Sequence, residues 1–118
     1  MATSKVETIR SVSSGTVGRA HSHARGQSLT LDSSTRPRED ALTNSEAFLA
    51  GIASCGVTLI EGYAEQEGIP VSRMAVEIEG VRDPSVLPAR FERVSMRFDI
   101  AGVDQAQAEA LLEVYRHR

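Results

Sequence analysis

The feature that most constrains the fold is one long apolar segment at residues 45–71. It reads SEAFLAGIASCGVTLIEGYAEQEGIPV and contains the only cysteine of the chain. Apolar residues recur in it every three or four positions, namely Phe48, Ile52, Cys55, Leu59 and Tyr63. Leu49, Ala53 and Ile60 widen this stripe, which predicts a helix buried over much of its circumference. On this pattern Cys55 lies on the inner face of the helix.

Sequence signals mark both ends of this helix. Thr43 and Glu46 have the spacing of a capping box, in which each residue satisfies a backbone N–H group of the other. Gly68, followed by Pro70, is a typical stop. Small residues fill positions 50–56, although glycine inside a helix costs about 1 kcal/mol relative to alanine. We therefore expect a second backbone to approach here, and we favour a dimer seam over packing within the monomer.

Strand patterns lie on both sides of the helix. Residues 6–17 and 28–32 predict an antiparallel amino-terminal sheet, and residues 33–40 predict a polar surface loop. Residues 72–81 and 89–102 predict two further strands, joined by a loop at 83–88 rather than by a tight turn. A second helix is predicted from near Asp104, with Ala108, Leu111, Leu112 and Tyr115 facing inward. The fold class is therefore α+β.

The length and net charge of the chain limit the classes of protein to which it can belong. With 118 residues the chain is expected to form a single domain, 1–118. Its formal net charge of -3 indicates neither a nucleic-acid-binding protein nor one that binds a membrane surface. The first ten residues lack the apolar run of a secretory signal, and no uninterrupted apolar stretch is long enough for a transmembrane helix. We expect a cytoplasmic protein, in which a single free thiol is common.

Two stretches resemble the OsmC/Ohr family of thiol-dependent, peroxide-detoxifying proteins. They are SEAFLAGIASC, at the opening of the long helix, and EQEGIPVSRMAVEIEG, which leads into the next strand. The order of elements is similar from about residue 10 to residue 118, and the specific part of the likeness covers residues 46–80. Because Glu46 lies one residue closer to the cysteine than in the better characterised hydroperoxide reductases, the chain resembles the less characterised branch more.

The resemblance implies an intertwined homodimer with two long central helices and two active sites at the subunit interface. Cys55 matches the cysteine that attacks the peroxide, Glu46 the acidic residue at the helix start, and Arg19 an arginine on an early strand. The resemblance also implies a resolving cysteine just after the last helix. We therefore expect that the domain lacks its carboxyl-terminal segment, or that an external thiol does this work.

Each of these residues also has a simpler interpretation. Cys55 could be a small buried hydrophobe, since free cysteine is among the most buried residue types. Glu46 is sufficiently explained by the capping box. Arg19 could be a surface charge, and Arg10 and Arg25 compete with it as the cation near the thiol. The two histidines of the HSH segment, residues 21–23, are expected on a solvated strand rather than in a metal site.

Geometry adds one condition on the candidate site. At about 1.5 Å rise and 100° per residue, Glu46 and Cys55 lie about 13 Å apart on roughly opposite faces of one helix. If the two cooperate, the glutamate comes from a partner helix. A thiolate in apolar surroundings also needs a nearby cation, because burial raises the pKa of a thiol.

The sequence predicts a cysteine-based peroxidase that reduces organic hydroperoxides as a homodimer and is regenerated by an external thiol reductant. No metal, flavin or nucleotide cofactor is expected, and neither are nucleic-acid or membrane partners. The alternative is a non-catalytic dimer of the same fold that binds a small apolar ligand at its interface, with Cys55 as a packing residue. A generic α+β interaction domain is the third interpretation.

Overall fold

The computed structural model describes residues 4–86 and 90–117 of the chain. The elements are β1 (Arg10–Ser13), β2 (Arg19–Ala24), β3 (Gln27–Asp32), β4 (Leu42–Thr43), α1 (Asn44–Glu67), β5 (Arg73–Val81), β6 (Arg93–Ala101) and α2 (Gln105–Arg116). The predicted α+β class is confirmed. The chain divides into two compact units, Met1–Phe48 and Leu49–Arg118. The expected single domain stays a prediction.

The first unit is built on a four-stranded sheet in the order β1-β2-β3-β4. The first three strands are antiparallel, as predicted, and the short β4 pairs with β3 in parallel. Arg25 and Gly26 join β2 to β3, with φ of 53° and 79°. Positive φ at both positions is the signature of a type I′ hairpin turn, which matches the twist of the two strands. This turn fixes the register that places Arg19 opposite Asp32.

Helix α1 begins and ends as the sequence predicts. The Thr43 backbone N–H donates to Glu46 Oε1 at 2.8 Å, and the Glu46 N–H donates to Thr43 Oγ1 at 3.2 Å. At the other end Gly68 has φ of 67°. The Ile69 N–H bonds to the Ala64 carbonyl oxygen at 2.9 Å, and the Gly68 N–H bonds to the Glu65 carbonyl at 3.4 Å. This pair of bonds is a Schellman motif, which ends the helix.

The second unit packs α1 and α2 against the antiparallel β5–β6 hairpin. Its fully buried apolar residues are Ile60, Ala64 and Leu111. Seven half-buried residues surround them: Tyr63, Ile69, Val71, Met74, Phe98, Ile100 and Tyr115. The predicted alternation of β5 is confirmed, and Asp104 caps α2 through a capping box with Gln107. Of the predicted loop 83–88, residues 87 and 88 lie outside the described residues.

The predicted inner face of α1 is wrong in part for the chain on its own, because Ile60 and Tyr63 pack in the core but Cys55 and Phe48 do not. The residues of α1 that are buried are Gly56, Ile60 and Ala64, at a strict four-residue spacing. Cys55 is exposed, and Phe48 is 59% exposed. The physical reason is residue size: Gly56 has no side chain, so Phe98 and Tyr115 can pack directly against the helix at this position. Size therefore decided which of two apolar stripes packs within the unit.

Candidate functional site

Cys55 lies near the middle of α1 on a face that the chain leaves open. Five neighbouring positions, here called the open α1 face, are exposed or half-buried: Gly51, Ile52, Cys55, Leu59 and Gly62. A Cβ added at Gly51 or Gly62 would meet no atom of the described residues within 4 Å apart from its own stretch of helix. Cys55 is thus accessible to a small reagent from solution, and this accessibility distinguishes it from the buried cysteine that the helical pattern predicted.

The open α1 face is strongly apolar. By length and composition alone α1 is able to cross a membrane, and only 17% of its most apolar window is buried. The sequence predicts no such span, because its uninterrupted apolar runs are all shorter than a membrane-spanning helix requires. An apolar face of this kind is typical of a surface that a further protein or lipid surface covers.

Arg19 is the centre of an ion-pair cluster in the first unit. Its Nε donates to Asp32 Oδ1 at 2.7 Å and its Nη2 donates to Asp32 Oδ2 at 3.1 Å, which is a bidentate pair. Its Nη1 donates to Asp40 Oδ2 at 3.1 Å, and its Nη2 also bonds Asp40 Oδ1. These bonds occupy four of the five N–H donors that a guanidinium has. Arg19 is therefore a fixed group rather than a mobile surface charge.

Arg38 completes this cluster from the polar loop that follows β3. Its backbone N–H donates to Asp32 Oδ2 at 3.2 Å, and its Nη1 lies 3.4 Å from Asp32 Oδ1. Its Nη2 donates to the carbonyl oxygen of Val17 at 3.3 Å. The Asp32 side chain has no exposed surface, while those of Arg19 and Asp40 are 17% and 71% exposed. Two arginines and two aspartates give the cluster no net charge.

The cluster shifts the ionisation of its members. The hydrogen bonds from Arg19 hold the pKa of the Asp32 carboxyl below its ordinary value, against the opposing effect of burial. The same guanidinium lowers the pKa of Asp40. The hydrogen bonds to Asp40 and then to Asp32 raise the pKa of Arg19 further above neutrality. Arg19, Asp32 and Asp40 are therefore charged at physiological pH.

Glu46 caps the start of α1, as its position in the sequence predicts. Its carboxylate accepts the Thr43 backbone N–H in the capping box, and the ion pairs among the described residues do not include it. The capping role is confirmed. A part for Glu46 in peroxide chemistry stays a prediction.

The competing cations and the histidines occupy ordinary strand positions. Arg10 pairs across β1–β2 with His23, and Arg25 lies in the hairpin turn. His21 Nδ1 is 3.0 Å from Thr30 Oγ1 on the neighbouring strand. Within residues 4–86 and 90–117, no group of three His, Cys, Asp or Glu side chains could hold a metal ion.

Sequence reasoning missed Asp32 and Arg38. Asp32 closes a strand just before a polar loop, where an aspartate usually indicates a turn. The available signal was the charge density of the loop, which carries Arg36, Arg38, Glu39 and Asp40 within five residues. Such a run of charges is equally typical of a solvated surface loop. Only the pairing of Arg19 with Asp32 across β2 and β3 shows that a buried carboxylate is part of the cluster.

A family model described as OsmC-like protein matches residues 37–118, which is more than half of the chain. The chain belongs to the OsmC family. The matched range contains Glu46 and Cys55 but not Arg19. No curated protein matches the chain in sequence.

Solved structures of OsmC-like proteins share this fold. An OsmC-like protein from Mycoplasma pneumoniae has a TM-score of 0.86 at 16% identity and covers 98% of this chain and 84% of its own. An organic hydroperoxide resistance protein OsmC from Legionella pneumophila has a TM-score of 0.70 at 20% identity, with 95% and 82% covered. The organic hydroperoxide resistance protein OhrB of Bacillus subtilis has a TM-score of 0.66 at 13% identity, with 93% and 82% covered. At these identities the likeness establishes the fold.

Proposed function

We propose that this OsmC-family protein is a thiol-dependent peroxidase that reduces organic hydroperoxides through Cys55. The observation that carries the proposal is the exposure of Cys55 at the middle of the apolar helix α1. An apolar approach suits an organic hydroperoxide better than hydrogen peroxide. Structural neighbours named as organic hydroperoxide resistance proteins support the same substrate class.

The proposed reaction has two steps. The Cys55 thiolate attacks the distal peroxide oxygen, so that an S–O bond forms, the O–O bond breaks, and the alkoxide takes up a proton and leaves as an alcohol. Sulfur is oxidised by two electrons to sulfenic acid, and the peroxide is reduced. An external dithiol then returns Cys55 to the thiol, releasing water and becoming a disulfide. No other cysteine is present in these 118 residues to act as the resolving thiol.

Two further elements belong to the proposal. The first is a homodimer, in which a second copy covers most of the open α1 face but leaves Cys55 in a cleft at the seam that a small peroxide can enter; the apolar character of this face and its unfilled glycine positions support the dimer. The second is Arg19 as the cation that supports the thiolate, with Glu46 as an additional acidic group. OsmC-family proteins are soluble, and a cytoplasmic location is part of the proposal.

The test is single-turnover oxidation of the purified protein by cumene hydroperoxide. We expect a sulfenic acid that a dimedone probe traps, and continuous consumption of the peroxide when dithiothreitol is supplied. Cys55→Ser should keep the fold and abolish both signals, while Ser54→Ala, a change at the adjacent exposed residue, should leave both unchanged. A wild-type protein that forms no sulfenic acid under excess hydroperoxide would exclude the peroxidase.

The alternative function is a non-catalytic ligand-binding dimer. It is favoured by a half-open groove of about 540 Å³ in the second unit, between α2 and the β5–β6 hairpin. The apolar residues that line it include Met74, Phe98, Ile100, Ala108 and Leu112. If this function is correct, an apolar fluorophore such as anilinonaphthalene sulfonate binds equally well to wild type and Cys55→Ala, and neither protein consumes hydroperoxide.

A further inference from the structure

In the second unit, the Tyr115 hydroxyl group donates a hydrogen bond to the sulfur of Met96. The hydroxyl oxygen lies 3.5 Å from Met96 Sδ, and both side chains are half-buried. Because Tyr115 belongs to α2 and Met96 to β6, this bond links a helix to the hairpin. A thioether sulfur is a weak acceptor, so the hydroxyl group is only weakly satisfied. Neither residue takes part in the proposed reaction at Cys55.

The position of this hydroxyl group is set by the packing of its ring. The rings of Tyr115 and Phe98 are 5.3 Å apart at their centroids, with their planes tilted by 59°. The Tyr115 ring also lies against α1 at Gly56, where an added Cβ would be 3.4 Å from Tyr115 Cε1. A tyrosine side chain has few rotatable bonds, so a ring held by two neighbours keeps its hydroxyl group in place. The donor therefore stays beside the sulfur if the chemistry of the acceptor changes.

Met96 lies near the margin of the second unit, where a small oxidant can reach it. The three residues before it on β6, residues 93–95, are exposed. Of the two methionines on the β5–β6 hairpin, Met74 packs against the buried core and Met96 lies outside that packing. A thioether is oxidised by peroxides to the sulfoxide, and this oxidation is a common modification of methionine.

We propose that Met96 is an oxidation site whose sulfoxide is held by Tyr115. The thioether sulfur attacks the distal oxygen of an organic hydroperoxide, so that an S–O bond forms and the O–O bond breaks. The hydroperoxide proton passes to the leaving oxygen, which departs as an alcohol. Sulfur is oxidised by two electrons, and the peroxide is reduced. Methionine sulfoxide reductases reverse this modification: they release the oxygen as water while thiols are oxidised to a disulfide.

The hydrogen-bonding groups at Met96 suit the oxidised form better than the reduced form. Oxidation ordinarily disrupts a packed core, because it makes an apolar side chain polar, and a buried polar atom without a partner is costly. At Met96 the new oxygen is bonded to the sulfur that the Tyr115 O–H group already faces. An O–H···O bond then replaces the weaker O–H···S bond. The link between α2 and β6 is therefore kept when Met96 is oxidised, whether or not Cys55 is a reactive thiol.

The experiment measures how oxidation changes the folding equilibrium with and without the Tyr115 hydroxyl group. The parent protein carries Cys55→Ser and Met74→Leu, so that neither the thiol nor the other hairpin methionine reacts. After treatment with tert-butyl hydroperoxide, peptide mass spectrometry should show one added oxygen on Met96. In urea unfolding, oxidation should change the folding equilibrium constant of the parent by less than about threefold. In the parent with Tyr115→Phe it should lower that constant about tenfold, because the sulfoxide oxygen then lacks its donor.

Met96→Leu in the same parent is the matched control, and the oxidant should leave its stability unchanged. A second readout does not depend on the folding of Tyr115→Phe: with methyl-labelled methionine, the nuclear Overhauser contact between the Met96 methyl group and the Tyr115 ring should persist after oxidation of the parent. Loss of this contact, or an equal loss of stability with and without the hydroxyl group, would overturn the inference. So would the absence of added oxygen on Met96 under conditions that oxidise free methionine. Because the parent lacks the thiol, none of these outcomes bears on the proposed peroxidase.

Discussion

Each of the two compact units is stabilised internally by a different kind of interaction. In the first unit, the buried carboxylate of Asp32 is bonded by Arg19 and Arg38, and these hydrogen bonds link the strands to the polar loop. In the second, three fully buried apolar residues form the centre, and α1 leaves one apolar face open. A polar cluster depends on each partner and on its ionisation, whereas an apolar core depends on volume. The two units should therefore respond to different perturbations.

The largest effect is expected from removing volume in the second unit. Leu111 is 1% exposed, so Leu111→Ala should lower the free energy of unfolding by about 2–5 kcal/mol. Its neighbour Leu112 is half-buried, and Leu112→Ala is the matched control with a smaller loss. Urea unfolding followed by circular dichroism measures both. Equal losses would mean that the second unit has no localised centre.

The next prediction compares two glycines on opposite faces of α1. A Cβ on Gly56 would lie 3.3 Å from Phe98 Cε2 and 3.4 Å from Tyr115 Cε1, whereas a Cβ on Gly51 would meet nothing. Gly56→Leu should therefore destabilise the chain by about 1–3 kcal/mol through overpacking. Gly51→Leu should leave the chain folded but raise the dissociation constant of the proposed dimer about tenfold, which corresponds to ~1.4 kcal/mol.

Sedimentation equilibrium over a range of concentrations measures the dimer in both glycine variants. A Gly51→Leu protein that dimerises as well as the wild type would contradict dimerisation through the open α1 face. A wild-type protein that stays monomeric at micromolar concentration would contradict the dimer itself.

Acid should act on the first unit before the second. Because the folded-state pKa values of Asp32 and Asp40 lie below the ordinary value of about 3.9, their contribution to stability is present above that pH. It is lost as the pH falls through the lowered pKa values. As the pH falls below about 4, the amide protection factors of β2 and β3 should therefore decrease more than those of residues 56–64. An equal loss of protection in both regions would contradict this difference between the two units.

The smallest effect is expected at the start of α1. Thr43→Ala should cost about 1 kcal/mol of stability, because it removes the oxygen that accepts the Glu46 N–H. Glu46→Gln keeps a side-chain acceptor for the cap, so the unfolding midpoint should not move. The oxidation rate of Glu46→Gln then tests a role in chemistry without a change in folding. A slowed rate at unchanged stability would show that Glu46 does more than cap the helix.

The sequence predicts elements better than it predicts burial. The capping box, Gly68 and the alternation of β5 are local signals, and the structure confirms each of them. The face of α1 that packs within the chain was predicted only in part: Ile60 is buried as predicted, but periodicity gives weight to large apolar residues and overlooks the space left by Gly56. The ion-pair cluster was missed for a different reason: Arg19 and Asp32 are thirteen residues apart and meet only through the strand register.

The contact at Gly56 also has a consequence for sequence variation in the family. Phe98 and Tyr115 form a tilted ring pair with centroids 5.3 Å apart, and both rings lie against the space that Gly56 leaves empty. A larger residue at position 56 would clash with the two rings, so it requires a smaller residue at position 98 or 115. Among homologues, side-chain size at position 56 should therefore be anticorrelated with the combined size at the two ring positions, and substitutions at the three positions should be inherited together.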